Sequence, residues 1–288
     1  MTAREGTFRG TNGAELFYRV SMPNTAPKAV VIALHGLGDH SGGLQNLIER
    51  LNDSGYITYA FDLRGHGKSS GNRGYIRKWE EYRSDFHSFR KLASSEQPHL
   101  PLYIVAHSLG GVISLDYVLQ NDAGIAGLVA IAPAVSYEFK LSEKLLVALM
   151  GILKPDYTVN NPSNLELLTR DPVIQGRLKS DDLRHNSKTP GLGRGLMYTV
   201  PLILKKAQSL RIPFLLQYGL DDSVTPPLKL RRFFDSVGSS NKQTFEYEGM
   251  RHRPFDELER EPFFDDMMGW LDRNTEGAKR ASDPHEVN

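Results

Sequence analysis

The sequence predicts an open, mostly parallel α/β sheet flanked by helices, with one helical insertion. Three observations predict it. Short, predominantly apolar runs at 29–34, 56–61, 102–106 and 125–132 read as buried strands, and segments of helical period separate them. That alternation stops near residue 135 and resumes at 213. Most of these runs end in a loop rich in glycine, histidine and aspartate, at the sheet edge where such folds bind ligands. At 288 residues the chain suits one large domain with an insertion. The expected division is a core of 1–135 and 207–275, a cap or lid over 136–206, and a polar tail over 276–288.

Composition removes several function classes. The 35 Lys and Arg against 34 Asp and Glu leave a net charge of +1, interspersed along the chain, so no nucleic-acid partner is expected. With 0 cysteines there are no disulfides, no thiolate catalysis and no cysteine-ligated zinc. Met1–Gly6 lacks the apolar centre of a secretory signal, and no apolar run approaches the roughly 20 residues that span a bilayer. A cytoplasmic protein is the expectation.

In chain order, residues 7–21 read as a hairpin, with Asn12-Gly13 supplying a tight turn. Strand 29–34 leads into His35-Gly36-Leu37-Gly38-Asp39-His40-Ser41, whose glycines allow a sharp turn with exposed amides. A helix over 43–53 presents Leu44, Leu47, Ile48 and Leu51, and Ser54-Gly55 ends it. Strand 56–61 runs into Asp62-Leu63-Arg64-Gly65-His66-Gly67-Lys68-Ser69, a near miss for a phosphate-binding loop. Asp62 stands where its leading glycine belongs and would repel phosphate, so an Asp62–Arg64 ion pair tying the loop down is expected instead. Residues 79–92 form an amphipathic helix. Within the insertion, 145–153 is a strongly apolar helix, read either as core packing or as a lid over a greasy substrate. Residues 189–195, with three glycines, read as a loop or hinge. The sheet resumes at 213–218 and ends at 245–248, and a last helix spans 257–272.

The chemistry gathers around Ser108. A strand, Leu102-Tyr103-Ile104-Val105-Ala106, meets His107-Ser108-Leu109-Gly110-Gly111 and then a helix. That is the context of a nucleophile elbow, with Ala106 in place of the usual first glycine. The elbow lifts Ser108 Oγ above the sheet and leaves the Leu109 N–H at a helix start, free to donate to an oxyanion. A serine needs an imidazole base, and that base needs a carboxylate. His252 follows the last strand. His35 and His66 fit structural hydrogen bonds in their glycine loops, and His285 belongs to the tail. Asp222 is the chosen acid, with Asp221 the alternative. The order Ser108, Asp222, His252, each after a strand, is that of an α/β-hydrolase.

Together these segments resemble the monoacylglycerol lipase and lysophospholipase branch of the α/β-hydrolase superfamily. The resemblance rests on Leu34-His35-Gly36-Leu37-Gly38-Asp39-His40-Ser41, Asp62 to Ser69, Ala106 to Gly111, Gly219-Leu220-Asp221-Asp222 and Glu248-Gly249-Met250-Arg251-His252. It implies an α/β-hydrolase fold with the insertion as cap, and a second oxyanion amide at Leu37. It also implies a serine esterase acting on monoacylglycerols without metal or cofactor. A lysophospholipase or short-chain carboxylesterase is the alternative, and a non-catalytic binding protein the distant one. The expected partners are the lipid ester and, through the cap, transient contact with a membrane or lipid-droplet surface.

Overall fold

The computed structural model describes residues 2–136, 141–160 and 164–282. Strands β1 (Thr2–Arg9) and β2 (Glu15–Met22) open the chain, and β3 (Ala29–Leu34) follows. Helix α1 (Gln45–Asp53), β4 (Tyr56–Phe61), α2 (Glu80–Glu96), β5 (Leu102–His107), α3 (Leu109–Val118) and β6 (Gly127–Ile131) continue the alternation. The insertion contributes α4 (Leu141–Leu153), β7 (Val159–Asn160), α5 (Pro172–Ser180), β8 (Ser187–Lys188) and α6 (Pro190–Lys206). β9 (Phe214–Gly219), α7 (Pro227–Ser236), β10 (Lys242–Tyr247) and α8 (Glu261–Ser282) complete the core.

The main sheet has eight strands in the order β1-β2-β4-β3-β5-β6-β9-β10. Among the described residues β2 runs opposite to the other strands of this sheet, so the sheet is mostly parallel, as the apolar runs predicted. β3, β4, β5, β6 and β9 are buried along their whole length, which is why they carry no polar alternation. Helices cover both faces. On one side α2 and α3 seat Phe86, Phe89, Val112 and Ile113 against the strands. On the other α1 and α8 bring Leu47, Leu51, Met267 and Trp270. Each such side chain contributes about 1.5–3 kcal/mol by leaving water.

Several expectations need correction. Asn12 and Gly13 do have positive φ (58° and 74°), but they sit in a 3-10 turn between Arg9 and Glu15, so the hairpin loop is longer than a two-residue turn. Residues 189–195 are the start of α6, not a hinge. Thr189 Oγ1 accepts from Leu192 N at the N-terminus and Pro190 occupies the first turn. The glycines there answer to packing: a Cβ on Gly191 would lie 2.6 Å from the Ile76 carbonyl oxygen, and one on Gly195 would lie 3.0 Å from Trp79. Arg64 pairs with Asp85 of α2 at 2.8 Å. Asp62 instead accepts from the Ser41 and Lys68 amides at 2.7 and 2.8 Å, closing the loop around the carboxylate where a phosphate would sit. The last helix begins at Glu261, because Pro262 fits only a first turn, and it runs on to Ser282. The expected tail therefore starts as helix; residues 283–288, with His285, lie outside the described residues, as does part of the Asn160-Asn161-Pro162 loop.

Candidate active site

Ser108 follows β5, at the centre of the sheet, with φ 52° and ψ −113°. A non-glycine residue in that region costs on the order of 1–3 kcal/mol, so its surroundings must impose it. They do: Ser108 N donates to Ile131 O at 3.0 Å and Ser108 O accepts from Ala134 N at 3.1 Å. Space is tightest on the helix side. A Cβ on Gly110 would stand 2.7 Å from His35 O, and one on Gly111 would stand 2.8 Å from Pro133 Cβ. Ala106, in contrast, fits as an ordinary buried strand residue paired with Leu34 and Ala130, so the elbow forms without a glycine there.

His252 reaches Ser108 from the loop after β10. Its Nε2 accepts from Ser108 Oγ at 2.9 Å, and its Nδ1–H donates to Asp222 Oδ2 at 2.8 Å. Asp222 also accepts from Val224 N and Thr225 N at 2.7 and 2.9 Å and from the Thr225 hydroxyl. Burial would raise this carboxyl, but the His252 charge and the hydrogen bonds from His252 and Thr225 prevail and hold it below the usual range. Asp221 is exposed and its amide ties to Met250 O, so the structure brings Asp222, not Asp221, to the imidazole. The sequence reading missed Thr225. The signal for it was the Asp-x-x-Thr spacing, which lets one turn supply three donors to one carboxylate.

The loop after β3 lies against the elbow. A Cβ on Gly36 would come within 3.1 Å of both Ser108 Cβ and His107 Nδ1, so only glycine lets the backbone pass this close to the serine. Leu37 is the next residue. Leu109 is the first residue of α3, whose leading amides have no partner within the helix. His35 and His66 make the structural hydrogen bonds expected of them, the His66 ring to the Arg64 carbonyl. His35 Nδ1–H donates to Gly36 O at 2.7 Å and its Nε2 accepts from Leu63 N at 2.9 Å. His107 Nε2–H donates to His252 O at 2.9 Å, bracing the backbone of the imidazole loop.

Two stretches of the insertion dock on these loops. Leu167 O and Leu168 O accept from His252 N and Arg253 N at 3.4 and 2.8 Å. On the other side His185 N donates to Gly38 O at 3.1 Å, and His40 Nε2–H donates to Asp181 Oδ2 at 2.7 Å. Asp39 joins the parts: its carboxylate meets Arg253, beside His252, and Arg184 of the insertion, the latter at 2.6 Å. Burial opposes that charge, but the Arg253 and Arg184 guanidiniums outweigh it and hold Asp39 well below the ordinary carboxylate range. Nothing in the sequence pairs residue 39 with residues 184 and 253; only the fold does.

His35, His66 and His185 lie in series with their rings tilted against one another, centroids 5.2 and 4.6 Å apart. Burial, with Arg73 and His35 beside it, pushes His185 down to about 4; burial and the neighbouring His35 and His185 push His66 well below its ordinary value. A histidine with a depressed folded-state pKa is protonated more readily in the unfolded chain. Its contribution to stability is therefore complete above the unfolded value of about 6.5 and is lost as pH falls toward the folded one. Thermal unfolding followed by circular dichroism should show a plateau near neutral pH and a steep fall in midpoint between pH 6.5 and about 4. His185→Gln should make that fall shallower.

The family described as serine aminopeptidase, S33 (Hydrolase_4) matches residues 25–259. A monoacylglycerol lipase of Mycolicibacterium smegmatis is 31% identical over 94% of this chain and 97% of its own length. Phospholipase YtpA of Bacillus subtilis is 27% identical over 86% of this chain and 96% of its own. Among solved structures, the monoacylglycerol lipase of Paleococcus ferrophilus superposes with a TM-score of 0.78 at 30% identity, covering 95% of this chain and 100% of that one. The strand order, the elbow at Ser108 and these likenesses agree: the chain belongs to the Hydrolase_4 (serine aminopeptidase, S33) family, in the branch of the α/β-hydrolase superfamily that holds the monoacylglycerol lipases.

Proposed function

We propose that this chain hydrolyses carboxylic esters of lipids, monoacylglycerols first among them, with Ser108 as nucleophile, His252 as general base and acid, and Asp222 as the orienting carboxylate. The observation that carries this reading is the unbroken relay from Ser108 Oγ through His252 to Asp222, with both contacts under 3 Å. Ser108 Oγ attacks the ester carbonyl while His252 Nε2 takes its proton. Asp222 keeps the Nδ1 proton in place and stabilises the imidazolium. The amides of Leu37 and Leu109 hold the oxyanion, at about 3 kcal/mol per donor. His252 then protonates the departing glycerol, and water repeats the sequence on the acyl-enzyme.

The lipid part of the reading draws on the insertion, which we take as a cap because it docks on both the 36–40 loop and the His252 loop. Its helix α4 exposes Leu141, Leu145, Leu146, Leu149, Ile152 and Leu153, each by more than half, and of its residues only Gly151 is buried. A water-facing apolar helix in the insertion, packed on α6, suits a substrate drawn from a lipid surface and peripheral attachment to that surface. Among the described residues no helix is long and apolar enough to cross a membrane.

The test compares kcat/KM for monoacylglycerols, lysophospholipids and p-nitrophenyl esters of graded chain length, with an aminoacyl arylamide alongside. Medium- or long-chain monoacylglycerols should lead. A preference for acetate or butyrate contradicts the lipid reading while leaving the serine chemistry. A lead for lysophospholipids moves the assignment to phospholipid monoesters, and a lead for the arylamide moves it to peptides.

A further inference from the structure

A groove of about 500 Å³ runs between α2, α3 and α6, lined by residues other than those of the relay. Five cations line it, Arg77, Lys78, Arg83, Arg194 and Lys206, against two acids, Glu80 and Asp116. Asp116 is already committed: it accepts from Arg83 at 2.9 Å, from Trp79 Nε1 at 3.0 Å and from Gln120 at 2.7 Å. Among the described residues none of Arg77, Lys78, Arg194 and Lys206 is ion-paired with a carboxylate. A local excess of this size stands out in a chain whose net charge is +1.

The groove is continuous with the apolar surface. Tyr198 and Leu202 line it and are 57% and 54% exposed, and the Arg194 guanidinium lies 5.6 Å from the Tyr198 ring centre. Gly151 of α4 lines the groove where α4 crosses α6, and the next two residues are the exposed Ile152 and Leu153. Unpaired cations edging an exposed apolar helix are the arrangement of a surface that meets phosphate while its apolar side chains enter acyl chains.

We propose that the groove between α2, α3 and α6 seats the headgroup phosphates of an anionic lipid surface, so that α4 engages negatively charged bilayers in preference to neutral ones. This rests on the reading of α4 as a lipid-facing helix, and it adds which lipids that face selects. The unpaired cations set the preference by charge complementarity, while the leucines of α4 supply the part of the attraction that does not depend on charge.

The test is co-sedimentation of the full chain with phosphatidylcholine vesicles, with and without a phosphatidylglycerol fraction, at low and high salt. Binding should be tighter to the anionic vesicles, and the difference should shrink as salt rises. Arg194→Gln with Lys206→Gln should weaken anionic binding roughly twenty-five-fold, about fivefold for each cation removed near a charged leaflet. Binding to neutral vesicles and turnover of a soluble p-nitrophenyl ester should not change. Arg77→Gln with Lys78→Gln, both exposed, should give the same pattern should the first pair disturb α6. Equal binding to both vesicle types, or a charge preference that survives both pairs, overturns the proposal. So does saturable binding of inorganic phosphate to the free protein, absent for chloride at equal ionic strength, in a chain that binds no vesicle, which would make the groove a site for free anions. Absence of ester turnover in the unsubstituted chain would contradict the proposed activity instead, and the vesicle result is read independently of it.

Discussion

Ser108→Ala should reduce ester turnover roughly 10⁴- to 10⁶-fold while leaving the affinity for a non-hydrolysable ester analogue unchanged. The expectation follows from the relay. Without Oγ, the His252 imidazole still stands beside Asp222 but has no hydroxyl to deprotonate, and of the proposed machinery only the Leu37 and Leu109 amides and substrate binding remain. The alanine also removes little packing, since Ser108 is fixed through its backbone to Ile131 and Ala134. Steady-state kinetics on the best monoacylglycerol, with the melting curve as control, checks both halves. Turnover within tenfold of the unsubstituted chain would show that another group carries the reaction.

Asp222→Asn should lower kcat about 10⁴-fold, whereas Asp221→Asn should leave it within roughly threefold. The asparagine keeps the shape and can still accept from Val224 N and Thr225 N. Its amide does not enforce the Nδ1–H tautomer, so Nε2 is no longer held as the acceptor facing Ser108, and the imidazolium loses its counter-charge. Asp221, exposed and one residue away, makes no such contact. A pair of single substitutions at adjacent positions therefore separates the geometry from a general effect of removing charge near the site. Equal losses at the two positions would contradict the role given to Asp222.

The sheet was legible because its signals are local. Residues 29–34 and 102–106 declare buried strands by unbroken apolarity, and Gly110-Gly111 announces the close approach that the elbow requires. The positions of Ser108, Asp222 and His252 were legible for a related reason: each ends or follows a strand, so a parallel sheet must bring them to one edge. What escaped depends on partners distant in sequence. Gly191, Gly193 and Gly195 look like a hinge, yet Gly191 and Gly195 are small because Ile76 and Trp79 press against α6. Arg64 took Asp85 from α2 rather than the nearer Asp62, whose carboxylate the Ser41 and Lys68 amides had already claimed. Asp39 lies in the glycine-rich loop after β3, but its bond to Arg184 of the insertion spans 145 residues and no local pattern encodes it.

The most direct test of the account is rapid-quench intact-protein mass spectrometry during turnover of a long-chain monoacylglycerol. The account predicts a transient mass increase equal to one acyl group, mapped to the peptide containing Ser108 and absent from Ser108→Ala. Turnover with no covalent adduct, or an adduct mapped to any other residue, would contradict it.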